Sequence, residues 1–126
     1  MRSTLIDIRL PSAFAAAYPG PKFGVAGTRK LSGVQGRPLI GTIVKPSIGF
    51  TPQETAALVE DLCQAGIDFI KDDELQSDGP GCPFEDRAKE VMRVIERRAD
   101  RSGHKTMYAF NLTGEIDEMR DRKSVV

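Results

Sequence analysis

From Pro38 onward, apolar and polar positions alternate between two periods. Leu39-Ile40-Gly41-Thr42-Ile43-Val44 is a short, β-branched, apolar run that reads as a buried strand. A helical pattern follows: Thr51 as N-cap, Pro52 in the first turn and Glu54 completing a capping box. Leu58, Val59, Leu62 and Ala65 then recur at helical spacing, and Gly66 ends the helix. Ile67 to Ile70 predicts a second strand, and Leu75 to Cys82 a loop around Gly79-Pro80-Gly81. Pro83 fits the first position of a second helix, whose face is Phe84, Ala88, Val91, Met92 and Ile95. Arg97, Arg98 and Arg101 sit near its end, where positive charge complements the helix dipole, and Gly103 stops it. Thr106 to Asn111 predicts a third strand, and Glu115 to Arg122 a solvated helix start.

The order β-α-β-α-β-(α) predicts an α/β fold, a parallel sheet covered by helices. Residues 1–37 are punctuated by Pro11, Pro19, Gly20, Pro21, Gly24, Gly27, Gly33 and Gly36 and read as an irregular connector, with only Ser12 to Ala17 helical. Residues 38–126 form the β/α unit. A (β/α)₈ barrel takes ~250 residues, so three strands make either a small open sheet or part of a barrel.

Composition narrows the function. The 126 residues carry 18 basic and 18 acidic side chains, which gives no electrostatic footprint for nucleic acid. No apolar run approaches the roughly 20 residues that span a bilayer, so no membrane partner is expected. Asp7 and Arg9 stand where a signal peptide needs its apolar core, and the expected location is cytoplasmic. Cys63 and Cys82 lack metal-ligand spacing and are not expected to pair. Cys63 and Met92 read as core, and His104, the single histidine, as an exposed loop residue. No Gly-x-Gly-x-x-Gly follows a strand, which disfavours a dinucleotide site.

The second strand runs directly into Lys71, Asp72, Asp73 and Glu74. Four charges cannot enter an apolar core unpaired, and in β/α architectures the C-terminal strand ends carry ligands and metals. Lys45 ends the first strand, and Asn111 with Thr113 ends the third, so all fall on one rim. Two lysines and several carboxylates there suggest a metal with general-base chemistry. Asp73 and Glu74 are hard oxygen donors suited to Mg²⁺, and both reach one ion only if the strand has curled by Asp73. The same residue types also fit a solvated ion-pair cluster, and Lys45 before Pro46 a surface lysine at a turn.

At these residues the chain resembles the RuBisCO large-subunit family, and more closely its RuBisCO-like (form IV) proteins. The signature Gly-x-Asp-Phe-x-Lys-x-Asp-Glu stands complete at Gly66 to Glu74. Pro19-Gly20-Pro21-Lys22-Phe23-Gly24, Arg37 to Pro46, and Asn111-Leu112-Thr113-Gly114 with Glu118-Met119 also match in one register. The resemblance implies a partial TIM (β/α)₈ barrel, its first three β-strands with intervening helices, preceded by the connector. It implies Mg²⁺ held by Lys71, Asp73 and Glu74, with CO₂ bound as a carbamate on Lys71. It implies Lys45 as the base that removes a proton next to a carbonyl to give an enediolate. Lys45 and Asn111 are expected to bind substrate, with Lys45 and Lys71 catalytic, and the full-length parent is expected to be a homodimer.

Two departures matter. Ser47 stands where carboxylases carry a second lysine, and Ile43 where they carry a threonine. The expectation is therefore a Mg²⁺-dependent enolase or isomerase acting on a sugar-derived, phosphorylated carbonyl substrate. The alternatives are a non-catalytic remnant or metal-binding interaction fragment, and a genuine ribulose-bisphosphate carboxylase. The family's N-terminal domain and later five strands have no counterpart here, so the chain is expected to be a fragment, inactive alone.

Overall fold

The structure, a computed structural model, describes residues 6–124. Its elements are α1 (Ser12–Ala16), α2 (Gly24–Ser32), β1 (Gly41–Ile43), α3 (Pro52–Gln64), β2 (Phe69–Lys71), α4 (Phe84–Ser102), β3 (Met107–Ala109) and α5 (Ile116–Lys123). The three strands form one parallel sheet in the order β1-β2-β3. Gly41 pairs with Phe69, and Phe69 with Met107, so all three strands end at one level.

Helix α3 forms as its signals require. Thr51 Oγ1 accepts from the Glu54 amide while the Glu54 carboxylate accepts from the Thr51 amide. Its exit explains why β2 starts later than the apolar run. The Gly66 amide bonds the Cys63 carbonyl (3.1 Å) and the Ile67 amide bonds the Leu62 carbonyl (3.2 Å), with Gly66 at φ 82°. That is a glycine-dependent helix stop, and it claims Ile67 for the helix end. Pro83 is the N-cap of α4, one position outside the helix. Proline offers no side-chain acceptor, so Asp78 Oδ1 reaches across to cap the Phe84 amide at 2.8 Å.

The core lies between the sheet and the α3–α4 pair: Val44, Ala56, Val59, Ile70, Val91, Val94 and Ile95, with Leu58, Leu62, Cys63, Ile67 and Met92 half-buried against it. Each fully buried aliphatic side chain contributes roughly 1.5–3 kcal/mol. The opposite face of the sheet has no such cover among the described residues. Ile43 remains 40% exposed and Ile40 57%, although their run reads as fully buried. Both packed helices lie on one face, so alternation leaves Gly41 and Ile43 open while Thr42 and Val44 are covered, and Ile40 lies before β1 begins.

The connector is not irregular throughout. Helix α2 occupies nine of its residues. The glycines that suggest a loop have other uses: Gly33 is the left-handed C-cap at φ 68°, and a Cβ at Gly27 would meet the Phe23 Cβ at 2.7 Å. Arg29 and Lys30 fall in the last turn, where the helix dipole favours them. Arg29 also donates to the Arg37 carbonyl, tying α2 to the approach to β1.

His104 is likewise not an isolated loop residue. It is half-buried, with Nε2 3.9 Å from Asp68 Oδ1. Asp68 is fully buried and takes a two-pronged ion pair from Arg37 (2.6 and 2.8 Å) and the Ile40 amide (2.9 Å). Arg37 is the main reason its carboxyl falls to about 2, with the Ile40 amide second. This cluster closes the end of the sheet opposite the candidate site.

Candidate active site at the strand ends

The charged run after β2 divides according to where the strand stops. Lys71 is the last strand residue, and Asp72 still bonds the Ala109 carbonyl through its amide (2.9 Å). Asp73 then opens a turn: the Gln76 amide bonds its carbonyl (3.0 Å) and the Leu75 amide its Oδ1 (3.0 Å). The chain has therefore left the pleat by Asp73, which frees Asp73 and Glu74 from pointing to opposite faces.

Asp72 belongs to the interior. Its side chain and that of Arg87 are both fully buried, with Arg87 Nε 3.3 Å from Oδ2. The Tyr108 hydroxyl donates to Oδ1, and the Asn111 amide to Oδ2 at 3.0 Å. Burial, then the Asp72 charge, push the Tyr108 phenol far above its ordinary range, so it stays a donor. Arg87 lies three residues after Phe84 and four before Val91, on the apolar stripe of α4. A lone arginine on that stripe and a carboxylate at a strand end were the available signals for this pair.

Lys45 and Glu74 face solvent and Lys71 is half-buried, while Asp73 lies buried beneath Lys45. Lys45 Nζ forms an ion pair with Asp73 Oδ2 and lies 3.2 Å from Ser47 Oγ. Lys45 is the main reason the Asp73 carboxyl is held at about 2, helped by the Leu75 amide. Lys71 Nζ donates to the Asp72 carbonyl (2.9 Å) and to Glu74 Oε1 (3.1 Å). Glu74 is lowered by its own backbone N–H and then by Lys71. Asn111 comes to the same rim from the end of β3, but its amide nitrogen is spent on backbone carbonyls of the turn.

The donor set fits a hard divalent cation. Lys71 Nζ already holds a cationic position between the Asp72 carbonyl and the Glu74 carboxylate, while the Asp73 carboxylate is engaged by Lys45. Among the described residues no three His, Cys, Asp or Glu side chains are grouped to hold a metal. Asp73 and Glu74 supply two anionic donors, and a third requires Lys71 to become one.

A parallel β/α unit with lysines and carboxylates gathered at its C-terminal strand ends is thus the class that fold and site define. A family model described as ribulose bisphosphate carboxylase large chain, catalytic domain, matches residues 24–126. The chain is 62% identical over 122 residues to the 3-oxo-isoapionate-4-phosphate transcarboxylase/hydrolase of Xanthobacter autotrophicus, covering 97% of this chain and 30% of that protein. It is 46% identical over 123 residues to the 3-oxo-isoapionate-4-phosphate decarboxylase of Rhizobium etli, covering 97% and 30%. The crystal structure of a RuBisCO-like protein from Burkholderia fungorum superposes with a TM-score of 0.88 at 47% identity, covering 94% of this chain and 29% of that one. The chain belongs to the RuBisCO large-chain family, among its RuBisCO-like members, and spans about 30% of the length of the curated relatives named here.

Proposed function

We propose that the whole protein carrying this segment is a Mg²⁺-dependent RuBisCO-like enzyme acting on a phosphorylated 3-oxo sugar acid through an enolate or enediolate. The observation that carries this reading is the pairing of Lys45 with Asp73 and of Lys71 with Glu74 on one rim. The substrate class follows the names of the two relatives, whose carbonyl lies one carbon from a carboxylate-bearing carbon. In such an acid, breaking the bond to the carboxyl carbon leaves an electron pair that delocalises onto the 3-oxo oxygen. The same reading places the first three strands of a (β/α)₈ barrel in residues 38–126 and a homodimer in the whole protein.

Lys71 as a carbamate, with Asp73 and Glu74, would hold the Mg²⁺. When bound, the ion supplies positive charge to the oxygen on which the electron pair develops. Lys45 Nζ exchanges the proton at the carbon beside the carbonyl. Ser47 leaves that position with a hydroxyl that meets Lys45, where the carboxylases of the family carry a second cation. Carboxylation of ribulose 1,5-bisphosphate is therefore not part of the proposal.

The test is Mg²⁺ titration of the whole protein with and without bicarbonate, alongside turnover of 3-oxo-isoapionate-4-phosphate. Bicarbonate is expected to tighten Mg²⁺ binding in the wild type and to have no effect in Lys71→Ala, which loses turnover. Equal Mg²⁺ affinity in Lys71→Ala and wild type would overturn the carbamate. Absence of wild-type turnover would overturn the substrate class.

A further inference from the structure

Asn111 stands at the end of β3 on the rim, where a substrate ligand is expected. Its hydrogen-bonding capacity is already used. A carboxamide has two N–H donors and one oxygen with two acceptor sites. Nδ2 lies 3.3 Å from the Asp73 carbonyl, 3.0 Å from that of Glu74 and 3.2 Å from that of Gln76, so two protons are shared among three acceptors. Oδ1 accepts from the Thr113 amide (3.1 Å) and the Thr113 hydroxyl (2.7 Å). A substrate hydroxyl would have to displace one of these partners.

What these bonds hold is the turn that carries two charged side chains. The Glu74 side chain is 74% exposed, and among the described residues its carboxylate meets only its own backbone N–H and Lys71. Its direction is therefore set by its backbone, and the Asn111 amide fixes that backbone at the Glu74 carbonyl and on either side of it. The Asn111 amide N–H is itself anchored on Asp72, within the buried pair. The clamp thus runs from the interior to the turn.

We propose that Asn111 is a positioning residue, whose side-chain amide fixes the Asp73–Gln76 turn and with it the direction of the Asp73 and Glu74 carboxylates, without touching substrate. The assignment rests on the functional reading above only for what those carboxylates hold. Removing such a supporting contact weakens metal affinity by about 10- to 100-fold.

The experiment uses the whole protein with Asn111→Asp and Asn111→Ala. The first keeps the acceptor for Thr113 but turns an oxygen towards three carbonyls, and the second keeps neither. Amide hydrogen exchange is followed without metal in peptides covering residues 73–77, with α4 as internal reference. Mg²⁺ half-saturation and, at saturating Mg²⁺, substrate KM are measured on the same proteins. Expected are faster exchange in the turn at unchanged protection of α4, Mg²⁺ half-saturation raised about 10- to 100-fold, and an unchanged KM. Turn exchange equal to wild type in both variants overturns the clamp. A raised KM with the turn still protected makes Asn111 a substrate ligand instead. Faster turn exchange at unaltered Mg²⁺ affinity overturns the positioning role. A wild-type protein that binds no Mg²⁺ sinks the functional reading, while the exchange data still decide the clamp.

Discussion

Replacing Arg87 by methionine tests what holds the strand-end loop from beneath. Arg87 and Asp72 are both fully buried, and Arg87 also donates to the carbonyls of Gln76 (3.4 Å), Ser77 (3.3 Å) and Cys82 (3.0 Å). Methionine keeps much of the volume but leaves Asp72 charged in the interior. Removing one partner of a buried pair costs about 3–5 kcal/mol. Two considerations act in opposite directions. Asp72 keeps the Tyr108 hydroxyl and the Asn111 amide, which softens the loss. The orphaned carbonyls of Ser77 and Cys82 add to it, although Ser77 lies at the surface and its carbonyl can turn to water, and the Gln76 carbonyl keeps Asn111 Nδ2. The expected loss is about 3–4 kcal/mol. Urea denaturation followed by circular dichroism measures it, together with Asp72→Asn and the double variant. The double variant removes the unpaired charge and is expected to regain about 1–2 kcal/mol over Arg87→Met. A loss under about 1 kcal/mol, or a double variant no more stable than Arg87→Met, refutes the reasoning.

Two further outcomes follow from the ion pairs. Asp68 has its carboxyl depressed from 3.8 to about 2 by Arg37 and the Ile40 amide, so the unfolded chain binds the proton first. Its stabilisation is present above 3.8 and is lost as pH falls towards 2. Arg37→Met should therefore be less stable at neutral pH and lose less across that window. Parallel stability curves for the two proteins from pH 5 to pH 2 would contradict this. Lys45→Ala should abolish solvent proton exchange at the substrate carbon, read by deuterium incorporation, while Mg²⁺ still binds; retained exchange would assign the proton to another group.

The alternation of strands and helices was legible because each helix carries its own start and stop signals, as Thr51, Glu54, Gly66 and Gly103 show. Helix α2 was not, because its glycines look like loop punctuation when neither the close approach of Phe23 nor the left-handed cap at Gly33 is visible. The lysines and carboxylates of the site were legible as residues of neighbouring strand ends on one rim. Their division was not: nothing local marks Asp72 as the partner of Arg87 and Asp73 as that of Lys45, since that depends on Arg87, 15 residues later, and on where the pleat stops. Asn111 was placed at the correct strand end, but how its amide is used depends on the path of a turn that only the folded chain defines.

The two ion pairs on the rim have a consequence in charge balance. Lys45 with Asp73 and Lys71 with Glu74 are two cations against two anions, so the rim at rest is neutral. Carboxylation of Lys71 exchanges a positive charge for a negative one and takes the rim to a deficit of two. One divalent cation restores neutrality. On the proposed carbamate reading, neither the modification nor the ion would be electrostatically balanced alone, and the end states it favours are the bare rim and the rim carrying both.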